Sequence, residues 1–267
     1  MRENRVKQAW KQGETTVGAW LSLPNSFSAE LMAQQGFDWL TIDMQHGLID
    51  YSDAVQMLTA ISTTSVTPFV RVPWNDPATL MKVLDAGAYG VIVPLINNRE
   101  EAERAVGACR YPPRGYRSSG PIRASIYGGT DYQANANEHI AVILMIETKD
   151  GIANLDEILS VDGVDAVYIG PSDLSYALGM APRMDNPDAR PQETVQRILA
   201  ACKRHNVAGG IHTGGPEYSA KWVQAGFQMV TLTSDANCLV RSAQELLRDM
   251  HQRTGLPAKS VAKSQVY

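Results

Sequence analysis

Cysteine is scarce in this sequence: Cys109, Cys202 and Cys238 are spread over 267 residues and form no CxxC pair. That spacing excludes a disulfide framework and a zinc knuckle, and it suits free thiols in a reducing compartment, so a cytoplasmic protein is expected. An excess of one charge is also missing. With 24 Lys and Arg against 28 Asp and Glu, the formal net charge is −4, and the scattered basic residues leave no footprint for nucleic acid. No apolar run approaches the ~18 residues of a membrane span. The opening Met1-Arg-Glu-Asn-Arg-Val-Lys7 has no apolar stretch of the signal-peptide kind. Neither a membrane partner nor secretion is expected.

What is present is an alternating pattern. Short β-branched runs at 17–21, 39–42, 67–72, 90–93, 142–146, 166–169, 208–211 and 229–232 read as strands. Between them, helical periodicity covers 28–35, 52–62, 77–86, 100–109, 152–159, 193–205, 216–224 and 236–253. Eight such units fit the ~250 residues of a closed (β/α)8 TIM barrel. We therefore expect one barrel domain over 1–254 and a polar, mobile tail over 255–267. Gly36, Gly87 and Gly226 each follow a helical pattern and read as left-handed C-caps. One segment breaks the rhythm: 111–129 is rich in Pro, Gly, Ser and Arg, reads as a long loop climbing the side of the barrel, and suits packing against a neighbouring subunit.

In a parallel barrel, chemistry gathers at the C-terminal strand tips. The candidate groups stand at four of the tips: Asp43-Met-Gln-His46 after the second strand, Arg71 at the third, Glu147 at the fifth and Gly170-Pro171-Ser172-Asp173 at the sixth. Two convergent carboxylates, Glu147 and Asp173, repel each other unless a proton or a metal separates them, and a hard divalent cation is the preferred reading. The alternative is that both are first-turn acids of the following helices. Asp43, three residues before His46, either orients its imidazole as a general base or caps a short turn. Arg71 either pairs with Asp43 or Glu147 or binds an anionic or enolate oxygen. Lysine is absent from the tips, which leaves a Schiff-base mechanism without a nucleophile.

Several motifs carry a resemblance: Trp20, 26–30 (Ser-Phe-Ser-Ala-Glu), 36–39 (Gly-Phe-Asp-Trp), 42–46, 70–76 (Val-Arg-Val-Pro-Trp-Asn-Asp), 111–115, 146–148 and 169–175 (Ile-Gly-Pro-Ser-Asp-Leu-Ser). In order and over nearly the whole chain they resemble the HpcH/HpaI family of class II pyruvate aldolases. The resemblance implies a (β/α)8 barrel of the phosphoenolpyruvate/pyruvate superfamily that cleaves a 4-hydroxy-2-oxo acid to pyruvate, or an analogue such as hydroxypyruvate, and an aldehyde. By the same resemblance, Glu147 and Asp173 hold Mg, Mn or Co. The substrate would meet Trp20, Arg71 and the backbone of Gly170, Pro171, Ser172 and Asp173. His46, oriented by Asp43, would act as base, and Asp85 would approach it from a neighbouring subunit. The last helix would be exchanged between subunits, giving a hexamer built as a trimer of dimers.

Met44-Gln45 stands where many members have Gly-Glu, which bears on the choice of aldehyde. A carbon–carbon lyase acting on acyl-CoA is a rival within the superfamily, but no basic nucleotide-binding surface is evident in the sequence. A non-catalytic barrel is a second rival, since fold alone does not imply function. His212, in Ile211-His-Thr-Gly-Gly215, reads as a wall residue or, with its glycines, as a phosphate contact.

Overall fold

The computed structural model describes residues 1–257. Its strands are β1 (Thr16–Leu21), β2 (Trp39–Asp43), β3 (Thr67–Arg71), β4 (Gly90–Val93), β5 (Ala141–Met145), β6 (Ala166–Ile169), β7 (Ala208–Ile211) and β8 (Met229–Ser234). All pair in parallel and in sequence order, and β1 pairs with β8 to close the barrel. The expected eight-stranded TIM barrel is present, and each strand falls within two residues of its sequence reading.

The helices are α1 (Arg5–Lys11), α2 (Ser26–Ala33), α3 (Tyr51–Ile61), α4 (Pro77–Asp85), α5 (Arg99–Cys109), α6 (Ile122–Gly128), α7 (Tyr132–His139), α8 (Lys149–Ala153), α9 (Leu155–Leu159), α10 (Pro171–Ala177), α11 (Ala189–His205), α12 (Pro216–Ala225) and α13 (Asp235–Thr254). Local chemistry explains where they start and stop. Asp50 and Asp53 form a reciprocal capping box at α3, and Asp76 caps α4 just before Pro77. At the other ends, Gly36, Gly87 and Gly226 take φ of 86°, 107° and 106°, the left-handed conformation that a side chain resists.

Two cores result. One lies between the strands and the helices. The other fills the barrel with inward-facing Trp20, Trp39, Phe69, Ile143, Tyr168 and Met229. Room for these rings comes from small partners on adjacent strands: a Cβ at Gly18 would lie 2.0 Å from the Trp39 ring. Helix α1, which the sequence reading missed, closes the floor of the barrel. Its Val6 and Trp10, one turn apart, join the interior core, and the Trp10 ring lies 6.1 Å from Phe69.

The segment 111–129 differs from its expectation. It holds α6, and α7 follows directly. Arg123 on α6 donates to Ala86 and Leu58 carbonyls near the C-terminal ends of α4 and α3, so the segment stays at the floor. The physical reason is topological: β5 starts at the floor, as every parallel strand does, and nothing requires the chain to climb. The stretch 152–159 is two short helices, and Pro171 opens α10, a helix absent from the sequence reading, with Asp173 on its first turn as the alternative for that acid had it.

Helix α13 buries only Asp235 and Ala236 and leaves Leu239, Leu246, Leu247 and Met250 exposed. Gly255 closes it at φ 66°. Residues 258–267 of the expected tail lie outside the described residues. No described helix is long and apolar enough to cross a membrane.

Candidate active site

The register of β2 against β3 sets Asp43 beside Arg71 at the barrel mouth. The guanidinium donates through Nε to Oδ1 at 2.8 Å and through Nη2 to Oδ2 at 2.6 Å, and both side chains are buried. Burial pushes the Asp43 carboxyl up, but the bond to Arg71 and its charge, helped by the His46 and Gln45 amides, outweigh burial and hold it below the usual carboxylate range. Those amides reach Oδ1 at 3.2 and 3.1 Å, so Asp43 also ties down the turn that carries His46. Turn capping and pairing with Arg71 therefore occur together. The Arg71 guanidinium in turn lies 4.5 Å from the Trp20 ring centre.

Glu147 follows β5 and is buried. Its Oε1 accepts the Leu95 amide at 3.2 Å, while Oε2 is sealed from solvent and has no hydrogen-bond partner among the described residues. Burial first, then the charge of Asp173 on the first turn of α10, raise the Glu147 carboxyl to about 7, against weaker opposition from Arg71 and the Leu95 amide. Two features of the backbone serve this acid. Leu95 holds φ at 55°, uncommon for a residue with a Cβ, and so delivers its amide to Oε1. A Cβ at position 170 would lie 2.3 Å from Oε2, so Gly170 keeps the space beside that oxygen clear. A bare buried oxygen, a second carboxylate and a cleared space fit a hard divalent cation. Among the described residues no group of three or more His, Cys, Asp or Glu gathers for a metal, so a cation here would have Glu147 and Asp173 as its protein ligands and take the rest from solvent or substrate.

A third group lines the mouth from β1, β6, β7 and β8. Trp20 Nε1 donates to the Tyr168 hydroxyl at 3.1 Å and to Thr231 Oγ1 at 2.9 Å, and Tyr168 also hydrogen-bonds Thr231. The Tyr168 hydroxyl reaches His212 Nδ1 at 3.3 Å. Burial, followed by the Arg71 charge, drives the His212 imidazole down to about 3, which makes it a neutral group at ordinary pH. His46 and His212 both border two adjoining cavities. One, of about 200 Å³, is walled by Trp20, Leu23, Asp43 and Arg71. The other, of about 950 Å³, extends outward past Ser172, Asp173, Arg183 and Arg241.

Thus Trp20, Asp43, His46, Arg71, Glu147 and the 170–173 turn are gathered at one end of the barrel. Asp85 is not. It ends α4 at the floor, where the buried Arg117 donates to its Oδ1 at 2.7 Å. The sequence reading missed Leu95, Tyr168 and Asp235. Asp235 accepts from Ser22 and Leu23 amides at 2.9 and 3.2 Å and binds the β1 loop to the start of α13. An acid directly after the last strand was the available signal for Asp235; the interior Tyr168 offered none.

Residues 16–242 match the family model described as HpcH/HpaI aldolase/citrate lyase. A hydroxypyruvate/pyruvate aldolase from Rhizorhabdus wittichii RW1 is 42% identical over 249 residues, which cover 92% of this chain and 98% of that protein. A 4-hydroxy-2-oxo-heptane-1,7-dioate aldolase from Salmonella newport is 37% identical over 268 residues, 99% of this chain and 100% of that protein. A crystal structure of a family protein from Burkholderia cenocepacia J2315 superposes with a TM-score of 0.87 at 34% identity, covering 93% of this chain and 99% of that one. With a match across most of its barrel and relatives aligned end to end, the chain belongs to the HpcH/HpaI aldolase/citrate lyase family.

Proposed function

We propose that the protein is a metal-dependent aldolase that reversibly cleaves a 4-hydroxy-2-oxo acid to pyruvate, or a close analogue such as hydroxypyruvate, and an aldehyde. The observation that carries this reading is the buried, unpartnered Oε2 of Glu147 beside Asp173 and the cleared space at Gly170. The named activities of the relatives above agree with it. Candidate substrates are 4-hydroxy-2-oxoheptanedioate and 2-keto-3-deoxy sugar acids.

A divalent cation such as Mg, Mn or Co, held by Glu147 and Asp173, would supply Lewis-acid stabilisation of negative charge on the pyruvyl oxygens. The remaining work falls to the chain itself. Arg71, fixed in place by Asp43, faces the charge that develops on the keto oxygen when the C3–C4 bond breaks. His46 takes the C4 hydroxyl proton, and the enolate then gains a proton at C3 to become pyruvate. The amides of Ser172 and Asp173 would hold the substrate carboxylate, and Trp20 would form the wall beside Arg71.

The same reading extends to assembly. Exposed Leu239, Leu246, Leu247 and Met250 on α13, with Phe27 and Leu31 on α2, form apolar surface of a kind that protein contacts usually cover. We assign α13 to exchange between barrels, in a hexamer built as a trimer of dimers. Asp85 would act on the His46 of a neighbouring subunit. The three free thiols suit a cytoplasmic setting.

The decisive experiment is pyruvate release from a panel of 4-hydroxy-2-oxo acids, assayed as purified, after EDTA and after metal add-back. Loss with EDTA and recovery with Mg, Mn or Co is the expected result. Full activity in EDTA would overturn the metal-dependent reading. For assembly, mixing inactive Asp85→Ala with inactive His46→Ala should restore some activity in hybrid oligomers, whereas a fully active monomer by light scattering would dismiss the shared site.

A further inference from the structure

His212 is an ionisable group of the mouth that the proposed chemistry leaves without a task, and its surroundings point to one. It follows β7 directly and borders both cavities, between the Arg71 side and the Asp173 side. Its ring is held rigidly. Nδ1 meets the Tyr168 hydroxyl at 3.3 Å, and the ring stands edge-on to Trp20 with centres 5.1 Å apart. Tyr168 is itself fixed by Trp20 Nε1 at 3.1 Å. The loop after His212 is clamped on both faces of one residue: the Gly214 amide donates to Asp185 at 2.9 Å, and its carbonyl accepts from Arg241 at 2.7 Å. A side chain so anchored is preorganised for recognition.

The opposite nitrogen, Nε2, makes no hydrogen bond to any described residue, and the half-buried residue borders both cavities. Its neighbours across the smaller cavity include the apolar Leu23, Leu48 and Ala236. A ligand that covers Nε2 with a methyl or methylene group strips water from it and gives nothing back. A ligand with a hydroxyl there restores the bond. Because a hydroxyl both donates and accepts, it complements the neutral imidazole in either tautomer, whereas a carboxylate suits only one and an alkyl group neither.

We propose that His212 is a specificity-determining residue that selects aldehydes bearing a hydroxyl group, through a hydrogen bond from Nε2 to that hydroxyl. The inference rests on the aldolase reading above and deepens it: Arg71 and the acidic pair serve the pyruvyl half, and His212 serves the aldehyde half. The principle is the usual asymmetry of polar sites, which reject the analogue lacking the hydroxyl more strongly than apolar sites reject the one carrying it.

The test is a pair of aldol additions to pyruvate, one with glyceraldehyde and one with propionaldehyde, read as the ratio of their kcat/KM values. The wild-type ratio should favour glyceraldehyde, and His212→Leu should lower it at least tenfold, or about 1.4 kcal/mol. His212→Met is a second apolar replacement of different shape, available should the first misfold. His212→Gln, which keeps a donor and an acceptor, should recover part of the ratio. Tyr168→Phe, which releases Nδ1, should shift the ratio in the same direction by a smaller factor. A ratio within twofold of wild type in the apolar variants, or equal losses on both aldehydes, would overturn the assignment while leaving the aldolase reading intact. A wild-type protein that adds pyruvate to neither aldehyde would overturn the aldolase reading and this inference with it.

Discussion

Asp165, a sheltered carboxylate at the floor of the barrel, and Glu147, a buried one at its mouth, are treated in opposite ways. At the floor, Asp165 has both oxygens engaged: Oδ1 by Lys7 at 2.8 Å, and Oδ2 by Arg110 at 3.0 Å and the Val142 amide at 2.9 Å. At the mouth, Glu147 has one amide on Oε1 and, among the described residues, nothing on Oε2, and burial, with a second acid nearby, raises it to about 7. The fold has the means to saturate a buried acid and does so where stability is at stake. Leaving one bare at the mouth costs free energy that a structural role would not explain, and the proposed cation site accounts for that cost.

The largest expected effect lies at the bare acid. Glu147→Gln should lower pyruvate release by about 10³-fold or more, the scale of a lost electrostatic stabiliser. Thermal unfolding of the same variant should stay level or improve, because a strained buried acid becomes neutral. A variant that keeps its activity, or one that unfolds, would erase the contrast between the two ends.

Asp165→Ala makes the reverse prediction. It strands the Lys7 and Arg110 cations, and breaking such a buried network costs about 3–5 kcal/mol in urea unfolding. Whatever fraction remains folded should keep its metal requirement.

Arg71→Ala comes next, with about 3 kcal/mol added to the barrier, and pyruvate proton exchange should fall alongside cleavage. Because this change also orphans Asp43, the double variant Asp43→Asn with Arg71→Ala separates folding from catalysis: stability should recover while the rate does not.

A smaller effect concerns pH. A Glu147 carboxyl at about 7, against an ordinary 4.5, contributes stability that is fully present below pH 4.5 and is lost as pH rises through 7. Stability of the metal-free wild type measured against Glu147→Gln should therefore decline across that window, by at most about 3 kcal/mol. A flat difference would mean that Glu147 does not carry the raised carboxyl.

Much of this contrast was legible in the sequence, for reasons that differ by element. The strands stand out because a parallel barrel buries them on both faces, so 141–145 and 166–169 read as unbroken apolar runs ending at Glu147 and just before Asp173. Helix α1 escaped notice because its seven residues carry only Val6 and Trp10 as an apolar pair, and their purpose depends on a floor that exists only once the barrel has closed. Helix α10 was hidden by Gly170-Pro171, which reads equally as a turn or as a helix start. At the site, His46 is three residues from Asp43 in sequence, whereas the acid's strongest partner, Arg71, lies 28 residues away and is brought in by strand register. The sequence leaves the acid partner of Arg71 open between Asp43 and Glu147, and the register brings it to Asp43. The positive φ of Leu95 and the Trp20, Tyr168 and His212 network could not be read at all, since each depends on which side chains meet inside the barrel.

The central claim is that the bare oxygen of Glu147, beside Asp173, is a cation site and not a structural accident. Titrating Mn2+ into metal-free protein, followed by electron paramagnetic resonance of the free ion, tests it without reference to any substrate. One site per chain in the wild type, lost in Glu147→Gln and retained in a floor variant such as Lys7→Met, is the result expected. Equal Mn2+ binding by the wild type and Glu147→Gln, or no binding by either, would contradict it.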